Sequence, residues 1–264
     1  MKEFKPSQDS EKILVISLGD PAGIGTEITL KALGSSRLNK NIQPLLVGCR
    51  NNICKTYSEL IKCGIKNIPN PNDLDIVDIP LEKDITAGIV DKHTGSASFK
   101  WLCNATEIVL EGKARALVTA PISKIAWHKA GHNFAGQTEL LGKLSNKKTS
   151  MLFTAISPNN GWRFNTLLAT THIPLDQINN NLTKELLTYK LDTLLNFCRK
   201  FKENPILQIA GINPHAGENK IISKDDNKYL LPIINQLKKR GVLVHGPISG
   251  DGIINNENLK NYDA

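Results

Sequence analysis

Residues 12–18, KILVISL, form a short apolar run rich in β-branched side chains that stops at Gly19-Asp20-Pro21. Such a run reads as a buried strand, and the glycine and proline behind it force a turn. The same punctuation recurs along the chain. Residues 26–33 have helical composition closed by Gly34, 45–48 read as a second strand, and 52–63 read as a helix closed by Gly64. A long helix over 95–111 ends at Gly112, and the strand 116–119 (ALVT) runs into Ala120-Pro121. Strands alternating with helices imply an α/β fold whose mostly parallel sheet is covered on both faces and carries ligand groups at the carboxyl ends of its strands.

The pattern is interrupted twice. Residues 66–84, rich in proline and aspartate, read as irregular or edge structure that connects rather than packs. Residues 151–156 and 166–170 read as strands flanking a turn at 158–161, an antiparallel hairpin. Beyond it, 183–201 is the longest helical pattern, with Leu186, Leu187, Leu191, Leu194, Leu195 and Cys198 keeping one face. A strand over 206–210, a helix over 229–239 and a strand over 242–244 complete the series, with no internal repeat and no clean linker.

The chain has 264 residues, enough for one large α/β unit or two lobes. Its net charge of +8 raises the question of a polyanionic partner, but the lysines are scattered. The nearest basic runs, Lys147-Lys148 and Lys238-Lys239-Arg240, carry no interleaved aromatics, so no nucleic-acid partner is expected. The excess positive charge favours anionic small substrates. Five cysteines without a C-x-x-C pair argue against a disulfide framework. No apolar run approaches the ~20 residues that span a bilayer, and residues 1–10 lack the apolar segment of a signal peptide. The expected location is the cytoplasm, with no membrane partner.

Chemistry-bearing residues cluster directly after the predicted strands. Gly19-Asp20-Pro21-Ala22-Gly23-Ile24-Gly25 is either a tight turn or an anion site at a helix start, and it is neither G-x-G-x-x-G nor a Walker A loop. Thr119-Ala120-Pro121-Ile122-Ser123-Lys124 places a hydroxyl and an ammonium where they either bind an anion or lie exposed in the first turn of a helix. Gln137 and Thr138, in Gly136-Gln137-Thr138-Glu139, can both donate to phosphate oxygens. His172, in Ala169-Thr170-Thr171-His172-Ile173-Pro174-Leu175, and His215, in Gly211-Ile212-Asn213-Pro214-His215-Ala216-Gly217-Glu218, each follow a buried strand, as a metal ligand or as a hydrogen-bonded loop histidine. Asp251 closes His245-Gly246-Pro247-Ile248-Ser249-Gly250-Asp251, and its carboxylate suits a metal or an ammonium better than His245 does.

These motifs, in this order from about Ile13 to Asp251, resemble the 4-hydroxythreonine-4-phosphate dehydrogenase family of pyridoxal phosphate (vitamin B6) synthesis. The resemblance implies a two-lobed fold similar to isocitrate and isopropylmalate dehydrogenases, with 1–125 plus 250–264 in the first lobe and 126–249 in the second. The second lobe would carry the homodimer interface and the metal histidines. It implies NAD or NADP, a divalent metal (zinc, magnesium or cobalt), and oxidation of the C3 hydroxyl of 4-phosphohydroxythreonine to a β-keto acid that loses carbon dioxide. The matching positions are Lys124 and Asp251 as catalytic, Asp20, Gln137 and Thr138 as substrate-binding, and His172 and His215 as two of three metal histidines.

Two departures stand out. Gln137 occupies a position where the family has histidine; it retains hydrogen bonding to a phosphate but supplies no titrating proton near neutral pH. The family also continues beyond Asp251 through a segment with the third histidine and the residues expected to contact the nicotinamide cofactor, whereas this sequence ends at Ala264. On that pattern the 264-residue chain is expected to be inactive or poorly active. Two alternatives stand beside the leading reading: a dehydrogenase for another four-carbon phosphorylated acid, and a non-catalytic relative that binds a phosphorylated metabolite.

Overall fold

The computed structural model describes residues 10–39, 41–253 and 261–264. It divides into two compact units, Met1–Thr149 and Ser150–Ala264.

Unit 1 runs β1 (Ile13–Ser17), α1 (Gly25–Leu33), β2 (Gln43–Gly48), α2 (Arg50–Lys62), β3 (Asp75–Asp78), α3 (Lys92–Leu110), β4 (Ala116–Thr119), α4 (Lys124–Lys129) and α5 (Gln137–Ser145). The four strands form one parallel sheet in the order β3-β2-β1-β4. Val15, at the centre of β1, faces Leu45 on one side and Leu117 on the other. Its side chain is wholly buried with Leu46, Ile53 and Trp101, as expected for a strand covered on both faces. Within 66–84 the chain supplies the edge strand β3, with Ile76 opposite Leu46. Asp91 begins α3 with a capping box, accepting from the Thr94 amide at 2.9 Å while the Thr94 hydroxyl accepts from the Asp91 amide at 3.3 Å.

The unit boundary lies well beyond the expected break after residue 125. Helices α4 and α5 stay with unit 1 because Trp127 is fully buried on α3, its indole N–H donating to Ser98 Oγ at 2.8 Å and its ring set edge-on to Phe99 at 5.4 Å. Residues 126–149 therefore pack with α3 in unit 1.

Unit 2 comprises β5 (Leu152–Ile156), β6 (Arg163–Leu167), α6 (Ile178–Asn181), α7 (Lys184–Cys198), β7 (Ile206–Ala210), α8 (Leu231–Lys239), β8 (Leu243–Ile248) and the single turn α9 (Gly250–Ile253). β5 and β6 form the expected antiparallel hairpin, and β7 pairs with β8 in parallel. Strand β6 starts three residues earlier than the expected 166–170. Its polar opening is held internally: buried Asn165 accepts from Thr154 Oγ1 at 2.8 Å and donates to the Asp263 carbonyl at 2.7 Å. The strand expected over 242–244 instead extends as β8 to Ile248, and a π-helical turn, Asp226–Leu230, precedes α8. Leu195, Leu207, Ile233 and Leu237 form the centre of this unit's core.

The described residues of 250–264 fall in unit 2. The Gln208 amide donates to the Ala264 carbonyl at 2.7 Å, and the Asp263 amide to that of Ile206 at 2.9 Å, so 263–264 lie along β7. All five cysteines are free thiols. Among the described residues no helix is long and apolar enough to cross a membrane.

The α3–α4 contact requires glycine at 95, where a Cβ would stand 2.0 Å from the Ala126 carbonyl oxygen. Gly95→Ala should therefore lower unfolding stability in urea by about 1–3 kcal/mol or more, the usual cost of overpacking. Gly131→Ala, where no atom lies within 4 Å, should pay only for its positive φ.

Candidate functional site

In unit 1 the chain lays down β1, β2 and β3 in one direction and then returns to the other side of β1 with β4. The loops leaving β1 and β4 diverge at this reversal, and in open parallel sheets such a crevice outside the carboxyl ends is where ligands bind. Here the two loops are tied together. The Asp20 amide donates to the Pro121 carbonyl at 2.9 Å and the Ala120 amide to the Ser17 carbonyl at 2.9 Å. Gly19, at φ +70°, approaches so closely that a Cβ would sit 2.2 Å from the Pro121 oxygen, and one on Gly25 would sit 2.1 Å from the Leu18 oxygen. These two glycines serve backbone-on-backbone packing within the protein.

Asp20 is buried in this junction, and its Oδ1 accepts from the Ala22 amide at 2.9 Å. Burial pushes its carboxyl pKa up; the Ala22 amide opposes that shift, and the nearby negative charge of Asp91 adds to it. Ser123 caps α4, accepting from the Ala126 amide at 3.2 Å, so that Lys124 stands exposed on the first residue of the helix. Its Nζ reaches the start of α5, 3.9 Å from where a Cβ on Gly136 would be.

Gln137 and Thr138 are the first two residues of α5. Gln137 Nε2 donates to the Ala120 carbonyl at 3.2 Å, which fixes the amide's orientation and leaves Oε1 buried without a hydrogen-bond partner among the described residues. A buried polar atom left unpaired costs about 1–3 kcal/mol. The unsatisfied atom is an acceptor, and it calls for an O–H or N–H group from a ligand. The sequence suggests donation from Gln137 to a phosphate; one of its two amide hydrogens is used on the Ala120 carbonyl. Asp20, Lys124, Gln137 and Thr138 are thus all carried by unit 1, so Gln137 and Thr138 do not belong to the second lobe as expected.

Unit 2 carries the remaining candidates. His172 and His215 are exposed on loops and both adopt left-handed backbone, at φ 55° and 52°. Asp251, on α9, accepts from Ser249 Oγ, which holds its pKa below the usual carboxylate range; the nearby His215 lowers it further. Among the described residues no group of three or more His, Cys, Asp or Glu side chains is placed to hold a metal ion. The two histidines therefore do not make a metal site from these residues alone. His245, on β8, sets its ring edge-on to Tyr262 at 5.6 Å.

Sequence reasoning passed over Asp91 and Asp226. Asp91 carries the N-cap signature of an acid three residues before a threonine. Asp226 resembles an ordinary acid ahead of a helix, although the structure encloses it completely behind the His215 loop.

The sequence family described as "Pyridoxal phosphate biosynthetic protein PdxA" matches residues 40–264. A 4-hydroxythreonine-4-phosphate dehydrogenase of Synechococcus sp. (strain RCC307) is 47% identical over 241 residues, covering 90% of this chain and 73% of the relative. A D-threonate 4-phosphate dehydrogenase of Pectobacterium atrosepticum is 30% identical over 260 residues, covering 92% and 76%. The crystal structure of a 4-hydroxythreonine-4-phosphate dehydrogenase from Klebsiella pneumoniae superposes with a TM-score of 0.79 at 28% identity, covering 96% of this chain and 78% of that one. The neighbours share an isocitrate dehydrogenase-like α/β fold, mostly parallel with an antiparallel pair.

The raised pKa of Asp20 has a consequence for stability. A carboxyl whose folded pKa exceeds its unfolded value favours the fold when protonated and loses that contribution as pH rises through the folded pKa. Asp20→Asn keeps the acceptor for Ala22 and removes the ionisation. Its melting midpoint should exceed that of the parent protein by a few degrees at neutral pH, with the gap closing below roughly pH 4.

Proposed function

We propose that this chain, which belongs to the pyridoxal phosphate biosynthetic protein PdxA family, oxidises 4-phosphohydroxythreonine at its C3 hydroxyl with NAD or NADP. The observation that carries this reading is the gathering of Asp20, Lys124 and Gln137 where the loops of β1 and β4 meet. The product, 2-amino-3-oxo-4-phosphooxybutanoate, is a β-keto acid and loses carbon dioxide to give 3-amino-2-oxopropyl phosphate. When bound, NAD or NADP accepts the hydride from C3.

Within unit 1, the exposed ammonium of Lys124 draws the anionic substrate in and donates a proton to the carbon that carbon dioxide leaves. Gln137 Oε1 takes a hydrogen bond from a substrate hydroxyl, and Thr138 offers its hydroxyl to the phosphate. Asp20, whose carboxyl pKa is raised by burial, offers a hydrogen-bonding group to the substrate from the junction of the two loops. Within unit 2, Asp251 offers an ionised carboxylate to an ammonium group. His172 and His215 offer two imidazoles to a divalent cation (zinc, magnesium or cobalt), which would polarise the reacting hydroxyl; the donor set among the described residues stops short of a metal site. A homodimer, in the cytoplasm, completes the reading, and its support is the β5–β6 hairpin, where Phe153 and Ile156 are each 56% exposed.

The Pectobacterium relative favours a second substrate, D-threonate 4-phosphate. Reduction of NAD, followed by absorbance with each acid in turn and added divalent metal, separates the two. Preference for 4-phosphohydroxythreonine supports the leading reading, preference for the threonate ester supports the second, and no reduction with either defeats both. Lys124→Met should lower kcat by about 10²–10⁴-fold, as loss of a proton donor does. Gln137→Ala should act mainly on KM, raising it roughly tenfold, the equivalent of one hydrogen bond.

A further inference from the structure

We propose that Asp226 is the positioning residue of the His215 loop, an inference that rests on the functional reading of His215. Asp226 has 0% exposure, and both of its carboxylate oxygens are spent on that loop. Oδ1 accepts from the Ile212 amide at 2.6 Å and Oδ2 from Asn213 Nδ2 at 3.1 Å. Gly211 and Gly217 close over the same group: a Cβ on either would lie 3.0 Å or 3.2 Å from its oxygens. One buried carboxylate is therefore wrapped by the segment running from Gly211 to Gly217, with His215 inside it.

The segment needs such a hold. His215, Ala216, Glu218 and Asn219 all have φ between 42° and 53°, a left-handed conformation that side chains with a Cβ disfavour and that persists only where surrounding structure imposes it. The backbone of Asp226 belongs to the turn that leads into α8, whose Ile233 and Ile234 are fixed in the core of unit 2. A rigid element thus sets the place of an exposed imidazole through hydrogen bonds to residues two and three positions before it. The carboxyl group presents an acceptor to the Ile212 amide and another to Asn213 Nδ2, whereas an amide at this position would set one donor against another.

The test uses Asp226→Asn, Asn213→Ala and the double variant in the full protein, with residue-resolved amide exchange, the His215 imidazole NMR signal, and kcat and KM for 4-phosphohydroxythreonine. In Asp226→Asn, exchange over 212–217 should quicken by about tenfold or more while β7 and α8 keep their protection, and the imidazole signal should broaden. kcat should fall about 10–100-fold, as when a group that orients a functional imidazole is lost, with KM nearly unchanged. Asn213→Ala should shift the same readouts less, and the double variant should be no worse than Asp226→Asn, because both remove one shared interaction. Unchanged exchange over 212–217, or faster exchange throughout unit 2, would overturn the proposal; if Asp226→Asn does not fold, Asn213→Ala decides by the same criteria. His215→Ala with undiminished kcat would sink the functional reading of His215, while exchange and the imidazole signal would still decide whether Asp226 positions the loop.

Discussion

The loops leaving β1 and β4 meet backbone to backbone, and the arrangement of unit 1's candidate residues depends on that contact. Gly19 lies where a Cβ would overlap the Pro121 oxygen, and the neighbouring Asp20 amide bonds to that same oxygen. Were the loops to separate, Asp20 would return to water and lose the desolvation that raises its pKa. The Ala120 carbonyl would also turn from Gln137, and with it would go the reason that the Gln137 amide points one way. A single net hydrogen bond contributes only about 1 kcal/mol. The close approach matters more for geometry than for energy: it places a buried acid, a side-chain amide and an exposed ammonium at one strand reversal.

Four aspartates show how far environment separates groups of one chemistry. Asp20 is raised by burial. Asp91, half-buried and bonded first by Lys83 and then by the amides of its own helix, is lowered to about 2. Asp251 is lowered chiefly by Ser249, and Asp226 is sealed inside a loop that it holds together. Composition counts these residues alike, and none of the distinctions follows from it.

Strands β1, β2 and β4 of unit 1 were legible because each is an apolar run halted by glycine or proline, as at Leu18-Gly19 and Thr119-Ala120-Pro121, whereas β3, with an aspartate at each end, was legible only as irregular or edge structure. Features that depend on partners distant in sequence were not. Arg163, Phe164 and Asn165 look like loop until Asn165 is seen bonded to Thr154 and to Asp263, nearly a hundred positions away. Residues 126–149 look like the opening of a second lobe until Trp127 is found beneath α3. The site residues themselves stood out as polar groups directly after apolar strands. The setting of Gln137 did not, because its bond to the Ala120 carbonyl and its buried Oε1 depend on residues distant in sequence.

The two units also differ in when synthesis can complete them. Each is a continuous stretch of chain, so all four strands of the first sheet have left the ribosome once residue 149 has emerged, and that unit can fold while the rest is being made. The second unit has no such early closure. Asp263 supplies the carbonyl that Asn165 needs and the carboxylate that receives Lys202 and the Ile206 amide, while the Ala264 carbonyl receives the Gln208 amide. A nascent chain stalled a few residues short of these would present a finished first unit and, beyond it, a hairpin and a strand whose inward polar groups still wait for partners.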